Sequence, residues 1–150
     1  MANFYESLES GKITENVVLS HIKKEYPKAY VVEGYCKEYD IYVPEKKIGI
    51  EVKRDEKSKY TGNYVIEIEF DGKPSALSTT KAEYWVIFDG KFYIWILTNK
   101  LKAMVESFGN KYLAEFIGNG DTKYKKAYLV PKKIIKDKAK LIITGDKNEL

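Results

Sequence analysis

Residues 39–53 read YDIYVPEKKIGIEVK, and the alternation within them decides the middle of the fold. Two β-rich runs, 39–43 and 47–53, flank Pro44-Glu45-Lys46, a turn that folds them into a hairpin. In the second run Ile48, Ile50 and Val52 share one face, and Gly49, Glu51 and Lys53 share the other. Residues two apart in a strand point the same way, roughly 6.6 Å apart, so Glu51 and Lys53 project side by side. Antiparallel pairing around the short turn brings Tyr39 and Asp40 near Lys53 and Glu51. A slip of one residue would send Asp40 to the opposite face.

Outward from this hairpin, the spacing predicts a helix over 14–26, with Thr14 as N-cap and Pro27 as its stop. Glu15, Leu19, Ile22 and Tyr26 fall on one stripe of it, with Val18 at the edge. Glu15 thus lies at the inner end of an apolar face, although a first-turn Glu also complements the helix dipole. Strands are expected over 29–33 and 64–70, and a second hairpin over 84–88 and 92–97 around Asp89-Gly90. Residues 100–108 look helical and stop at Gly109; a strand over 127–130 precedes Pro131, which opens a further helix. A helix, a run of strands and more helices predict an α/β protein, an α+β sandwich around a central mixed β-sheet flanked by helices.

The 150 residues (17.4 kDa) suit a single domain spanning 1–150. Its expected core is about 14–97, followed by a basic C-terminal extension at about 122–150. A composition 44% apolar and 14% aromatic argues against disorder. One cysteine, Cys36, excludes an internal disulfide framework and a Cys-rich zinc site. One histidine, His21, excludes His-clustered metal centres and a Ser/His/Asp triad. Any chemistry falls to carboxylates and lysines. No signal-peptide pattern opens the chain and no apolar run approaches the ~18 residues of a membrane helix, so an intracellular protein with no membrane partner is expected. Net charge is +4, but residues 122–140 hold eight Lys and one Asp, or +7, leaving −3 elsewhere. That asymmetry points to an anionic partner such as nucleic acid, with a solvated lysine face as the plainer alternative.

Acid-x-Lys triplets are cheap in a chain that is 32% charged, and there are six. Five fall in expected turns or loops, where such residues are ordinary surface chemistry. Only Glu51-Val52-Lys53 ends a β pattern with alternate apolar positions. A helix-borne Glu15, a strand-starting Asp40 and the Glu51/Lys53 pair can then surround one point.

That set resembles the signature of the PD-(D/E)XK nuclease superfamily: an acid at a strand start, a hairpin, then (D/E)-x-K on the adjacent strand, often with a Glu on the first helix. The matches are Asp40, Glu51-Val52-Lys53 and Glu15, within about 14–88, and residues 61–88 are also similar to phage- and virus-encoded members. Tyr39 stands where many members have Pro. The resemblance implies a restriction-endonuclease-like core and a DNA-cleaving, Mg²⁺-dependent enzyme, probed equally by Mn²⁺, with metal held by Asp40, Glu51, the Val52 carbonyl and Glu15. Lys53 would hold or deprotonate the attacking water. Endonucleolytic cutting is expected, and analogy with small members admits a homodimer. Two rivals stand beside it: a catalytically inactive DNA-binding module on the same fold, and an interaction protein using its basic C-terminal face.

Substrate contacts are expected around this centre. The loop after it offers Arg54, Lys57, Lys59 and Tyr60 to phosphates, against plain solvation. Residues 73–81 offer Lys73, Ser75 and Lys81, against a capped turn. Lys123 and Lys125, with Lys126, Lys132, Lys133, Tyr124 and Tyr128, would form a backbone-binding flank, against an ordinary edge strand. Glu67 and Glu69 read as a solvated sheet face, with a role near the metal as the alternative. Trp85 and Trp95 read as core, and His21 as structural.

Overall fold

The computed structural model describes residues 4–34, 37–118 and 120–145; Cys36 and the end of the basic segment, 146–150, lie outside the described residues. The chain runs α1 (Phe4–Lys23), β1 (Tyr30–Val31), β2 (Ile41–Val43), β3 (Ile48–Arg54), α2 (Ser58–Thr61), β4 (Asn63–Phe70), β5 (Lys73–Pro74), a 3-10 turn (Ala76–Ser78) and β6 (Tyr84–Phe88). It continues through β7 (Phe92–Leu97), α3 (Thr98–Phe108), β8 (Leu113–Ile117), β9 (Tyr124–Pro131), α4 (Lys132–Lys138) and β10 (Leu141–Thr144). Six strands form one mixed sheet in the order β1-β2-β3-β6-β7-β10, and four form a second in the order β5-β4-β9-β8. The expected α+β sandwich with a mixed central sheet is present; the only parallel pair among the described residues is β3 with β6.

Three layers follow from where the apolar side chains go. Along β6, Val86 and Phe88 enter the core beneath α1, whereas Trp85 and Ile87 enter the core between the two sheets. Period-two alternation with both faces covered makes YWVIF a continuous apolar run. The first core joins Val18 and Ile22 of α1 to Ile41, Val43, Ile50 and Val52 of the hairpin. The second joins Ile94 and Ile96 to Tyr64, Ile66, Tyr128 and Val130 of the smaller sheet, with Leu101 of α3 and Ile135 of α4.

Several sequence expectations need correction. Helix α1 begins at Phe4, so Thr14 is no N-cap. It sits mid-helix, donating its hydroxyl to the Ser10 carbonyl at 2.9 Å. Glu15 is consequently far from the helix N-terminus, and a dipole role does not apply to it. Strand 64–70 does not join the central sheet; β4 leaves it and pairs with β9. Nor is the C-terminal segment an extension. Its β9 lies between β4 and β8, and β10 pairs with β7 at the edge of the larger sheet. No described helix is long and apolar enough to cross a membrane.

Asp89, expected at an ordinary surface turn, is 4% exposed. Its Oδ1 accepts from the Lys91 and Phe92 amides at 3.0 and 2.8 Å, and its Oδ2 from the Tyr64 hydroxyl at 2.8 Å. Lys132 Nζ stands 3.9 Å away. This knot ties the β6–β7 turn to β4 and α4. Burial alone would raise the Asp89 carboxyl, but these donors and Lys132 outweigh it and hold it below its ordinary 3.8. A depressed folded value gives stability that is present above pH ~4 and lost as pH falls through that value. Asp89→Asn should therefore cost about 1–3 kcal/mol near pH 7, and urea denaturation should show the gap to wild type closing below pH ~4.

Candidate functional site

The hairpin ladder runs Val43↔Ile48, Tyr42↔Gly49 and Ile41↔Ile50. At Asp40 it slips, because the Asp40 amide also donates to the Ile50 carbonyl, at 3.0 Å. The Asp40 carbonyl turns the other way, accepting from Val32 at 2.8 Å. Freed from the ladder, the Asp40 carboxylate lies against the edge of β3, where its Oδ2 accepts the Val52 N–H at 2.8 Å. The expectation that Asp40 and Glu51 share a sheet face is thus replaced by a different geometry: Asp40 sits in the plane of the sheet. From there it reaches groups on both faces. A strand residue sends its amide and carbonyl to the same side, so the Val52 carbonyl also faces the Asp40 edge.

Glu15 comes to Asp40 from α1, sharing Lys37 with it, and Glu51 lies on the opposite face of β3, near enough for the Asp40 charge to raise its carboxyl. Sequence reasoning missed a fourth member. Lys37 Nζ stands 3.2 Å from Asp40 Oδ1 and 3.5 Å from Glu15 Oε1. The only sequence signal for it was a Lys three residues before the acid. Tyr39 lays its ring on the Gly49 backbone, where any Cβ would collide with it. A glycine at 49 is what lets Tyr39 lie flat beside Asp40.

Electrostatics follow from burial. Glu51 is pushed up to about 7, chiefly by burial and further by Asp40, against the pull of Lys53. Glu15 is raised above its ordinary 4.5 by burial and then Asp40, with Lys37 opposing. Lys37 is raised above 10.5: burial lowers it, but Asp40 and Glu15 outweigh that. Lys53 points as expected to the Glu51 face, where its ammonium lies 5.5 Å over the Trp85 ring.

As they stand, no three metal-ligating side chains among the described residues converge on one point. The carboxylates meet in pairs through Asp40, with Lys37 at the cluster. The donor set nevertheless suits a hard divalent ion, since it is all oxygen and carries excess negative charge. No family model matches the chain, and no curated protein or solved structure is found similar to it.

The expected substrate residues divide. Lys53, Lys57 and Lys125 line a cleft of 480 Å³ between the two sheets, with Trp85 and Phe116. Phe116 was missed because a lone aromatic in a short strand carries no signal. Lys59 and Tyr60 are exposed and touch each other, ammonium over ring at 5.0 Å. Lys73, Lys81 and Lys123 are exposed and outside the cleft lining. Arg54 lines the same cleft, and it also donates to Thr14 Oγ1 at 2.8 Å and pairs with Glu56 at 2.9 Å, which braces α1. Ser75 donates to Glu67 Oε2 at 2.8 Å. Glu67 pairs with Lys125 and Glu69 with Lys126, so both acids are tied to the basic segment across the β4–β9 ladder.

A raised carboxyl has a stability signature. Below pH ~4.5 Glu51 is neutral in folded and unfolded chains alike; as pH climbs toward 7 only the unfolded chain ionises freely, so stability falls and levels off above 7. Glu51→Gln removes that cost. In EDTA, its stability relative to wild type should improve between pH 4 and pH 8 by on the order of 2 kcal/mol, measured by urea denaturation.

Proposed function

We propose that this chain is a Mg²⁺-dependent nuclease that hydrolyses DNA phosphodiester bonds, most simply as an endonuclease. The observation that carries the reading is Asp40, held at the edge of β3 by the Val52 amide, with Glu15 on one side of it and Glu51 on the other, in pairs rather than at one point, and Lys53 two residues beyond Glu51. Asp40, Glu51, Glu15 and the Val52 carbonyl would hold the ion. Bound there, Mg²⁺ would supply an activated water and neutralise charge developing on the phosphate. Mn²⁺ would substitute.

The chain's own groups divide the remaining work. Asp40 is held by the Val52 amide, so one carboxylate oxygen is fixed and Oδ1 is left to a cation. Lys53 Nζ would donate to the attacking water or a phosphate oxygen, its stem steadied on Trp85. Lys37, now paired with the acids, would turn its ammonium to the phosphate when the ion enters.

A second reading has its own observation. Lys37 already balances Glu15 and Asp40 at 3.5 and 3.2 Å, as a fixed ion network would in a module that binds DNA without cutting it. The interaction-protein alternative rests on the lysines that remain: Lys125, Lys126 and Lys132 are paired with acids of the same chain, whereas Lys123, Lys133, Lys136, Lys138 and Lys140 make no ion pair among the described residues.

Plasmid nicking separates these. The nuclease should nick in Mg²⁺ and stop in EDTA, and Lys53→Ala and Asp40→Asn should each lose about a hundredfold or more while keeping wild-type circular dichroism. DNA retention in a salt-sensitive manner, with no cuts under either ion, selects the binding module.

A further inference from the structure

The cleft between the sheets opens beside Lys53 and is unlike a surface patch. One wall is the central sheet, with Trp85 and Lys53; the other is the smaller sheet, with Glu67, Phe116 and Lys125; Lys57 stands at the loop between them. Trp85 is already core, but Phe116 is half-buried and belongs to neither apolar core, so its ring is spent on the cleft alone. Charge is distributed in a telling way. Lys125 is bridged to Glu67 at 3.4 Å and Asp121 at 3.2 Å, whereas neither Lys53 nor Lys57 makes an ion pair among the described residues. Lys57, without an ion pair, Lys53, whose ammonium lies over Trp85, and the half-buried Phe116 ring therefore line one cleft, together with Arg54, which is bonded to Thr14 and Glu56, and Asp55, whose carboxylate accepts the Val65 amide.

We propose that this cleft receives one unpaired nucleotide of a DNA strand, its base against Phe116 and its phosphates at Lys53 and Lys57, so that the substrate is single-stranded DNA. The inference rests on the nuclease reading and names the substrate class of that site. Its volume, 480 Å³, lies in the range of pockets for single small ligands. A duplex, whose major groove alone is ~12 Å wide, has no way between the two sheets. Base stacking on an aromatic ring beside backbone-tracking lysines is how single strands are held without regard to sequence. Lys53 belongs to both cleft and acid cluster, so a nucleotide seated here has its phosphate next to the proposed centre.

Anisotropy in EDTA, with labelled oligothymidylate and a blunt duplex of equal length, tests binding apart from cutting. The single strand should bind about tenfold or more tightly than the duplex. Phe116→Ala should weaken it about tenfold, Phe116→Tyr should restore it, and Lys57→Ala should lower the salt slope by about one. Equal affinity for the duplex, or wild-type strand binding by a folded Phe116→Ala, overturns the proposal. So does thymidine monophosphate binding with no strand binding. Both oligonucleotides are then incubated with Mg²⁺. Duplex cutting untouched by Phe116→Ala overturns the cleft assignment and leaves the nuclease standing; strand-selective binding without any cutting supports the cleft and removes the nuclease.

Discussion

A carboxylate that takes an amide proton from a neighbouring strand organises this molecule's chemistry. Asp40 Oδ2 stands where a backbone carbonyl would continue the β2–β3 ladder, and it accepts the Val52 N–H at 2.8 Å. The bond satisfies a strand-edge donor that would otherwise be costly to bury, and it fixes the acid to within the tolerance of a hydrogen bond. Because the carboxylate lies in the sheet plane, Glu15 on one face and Glu51 on the other can both reach it. A site assembled from both faces of a sheet needs such an edge, and the slip at Asp40 creates it.

The second sheet gives this site a neighbour. The excursion between β3 and β6 lays down β4 and β5, and β8 and β9, added after α3, complete a four-stranded layer over the face that carries Glu51 and Lys53. Most of that interface is a dry core; at one end the layers part, and the polar face of β3 continues into the cleft. The Asp89 knot holds the layers together near the β6–β7 turn with donors from both sheets. The rigidity of the cleft thus depends on contacts remote from the acids.

The sequence made the hairpin, β6, β7 and α3 legible because each carries its own period: alternation over 47–53, continuous β-rich runs over 84–88 and 92–97, and a helical run closed by Gly109. It also set Glu51 and Lys53 on one face and expected Asp40 and Glu15 around the same point; Asp40 instead lies between the two glutamates, and the three acids do not converge among the described residues. The start of α1 was hidden by Gly11 and by Thr14, which looks like a cap but bonds back to Ser10 and receives Arg54 from forty residues away. Strands β8 and β10 were missed, being short and half-exposed, with stability that comes from β9 and β7 rather than from their own residues. The lysine-rich segment looked like a tail because charge is visible in a sequence and its partners, Glu67, Glu69 and Asp89, are not. Lys37 was invisible for the same reason: only the fold shows which acids it meets.

Two buried acidic sites in one chain make an informative contrast. Around Asp89 the protein supplies two amides, a hydroxyl and an ammonium, and the carboxyl is held below its ordinary value despite burial. That is what a structural carboxylate needs. Around Asp40 three acids meet two ammonium groups, Lys37 bridging Asp40 and Glu15 and Lys53 beside Glu51, and burial still raises Glu15 and Glu51 rather than letting them fall. The same fold that neutralises one buried acid completely leaves this cluster short of positive charge, at a cost in stability. Incomplete neutralisation is unlike the satisfied burial around Asp89, and perturbed carboxyls of this kind cluster at functional sites as well as in structural ion networks. The difference lies in the donors: Asp89 receives four, whereas the amide of Val52 goes to Asp40 alone, so the burial of Glu15 and Glu51 is offset by ammonium groups and not by backbone hydrogen bonds.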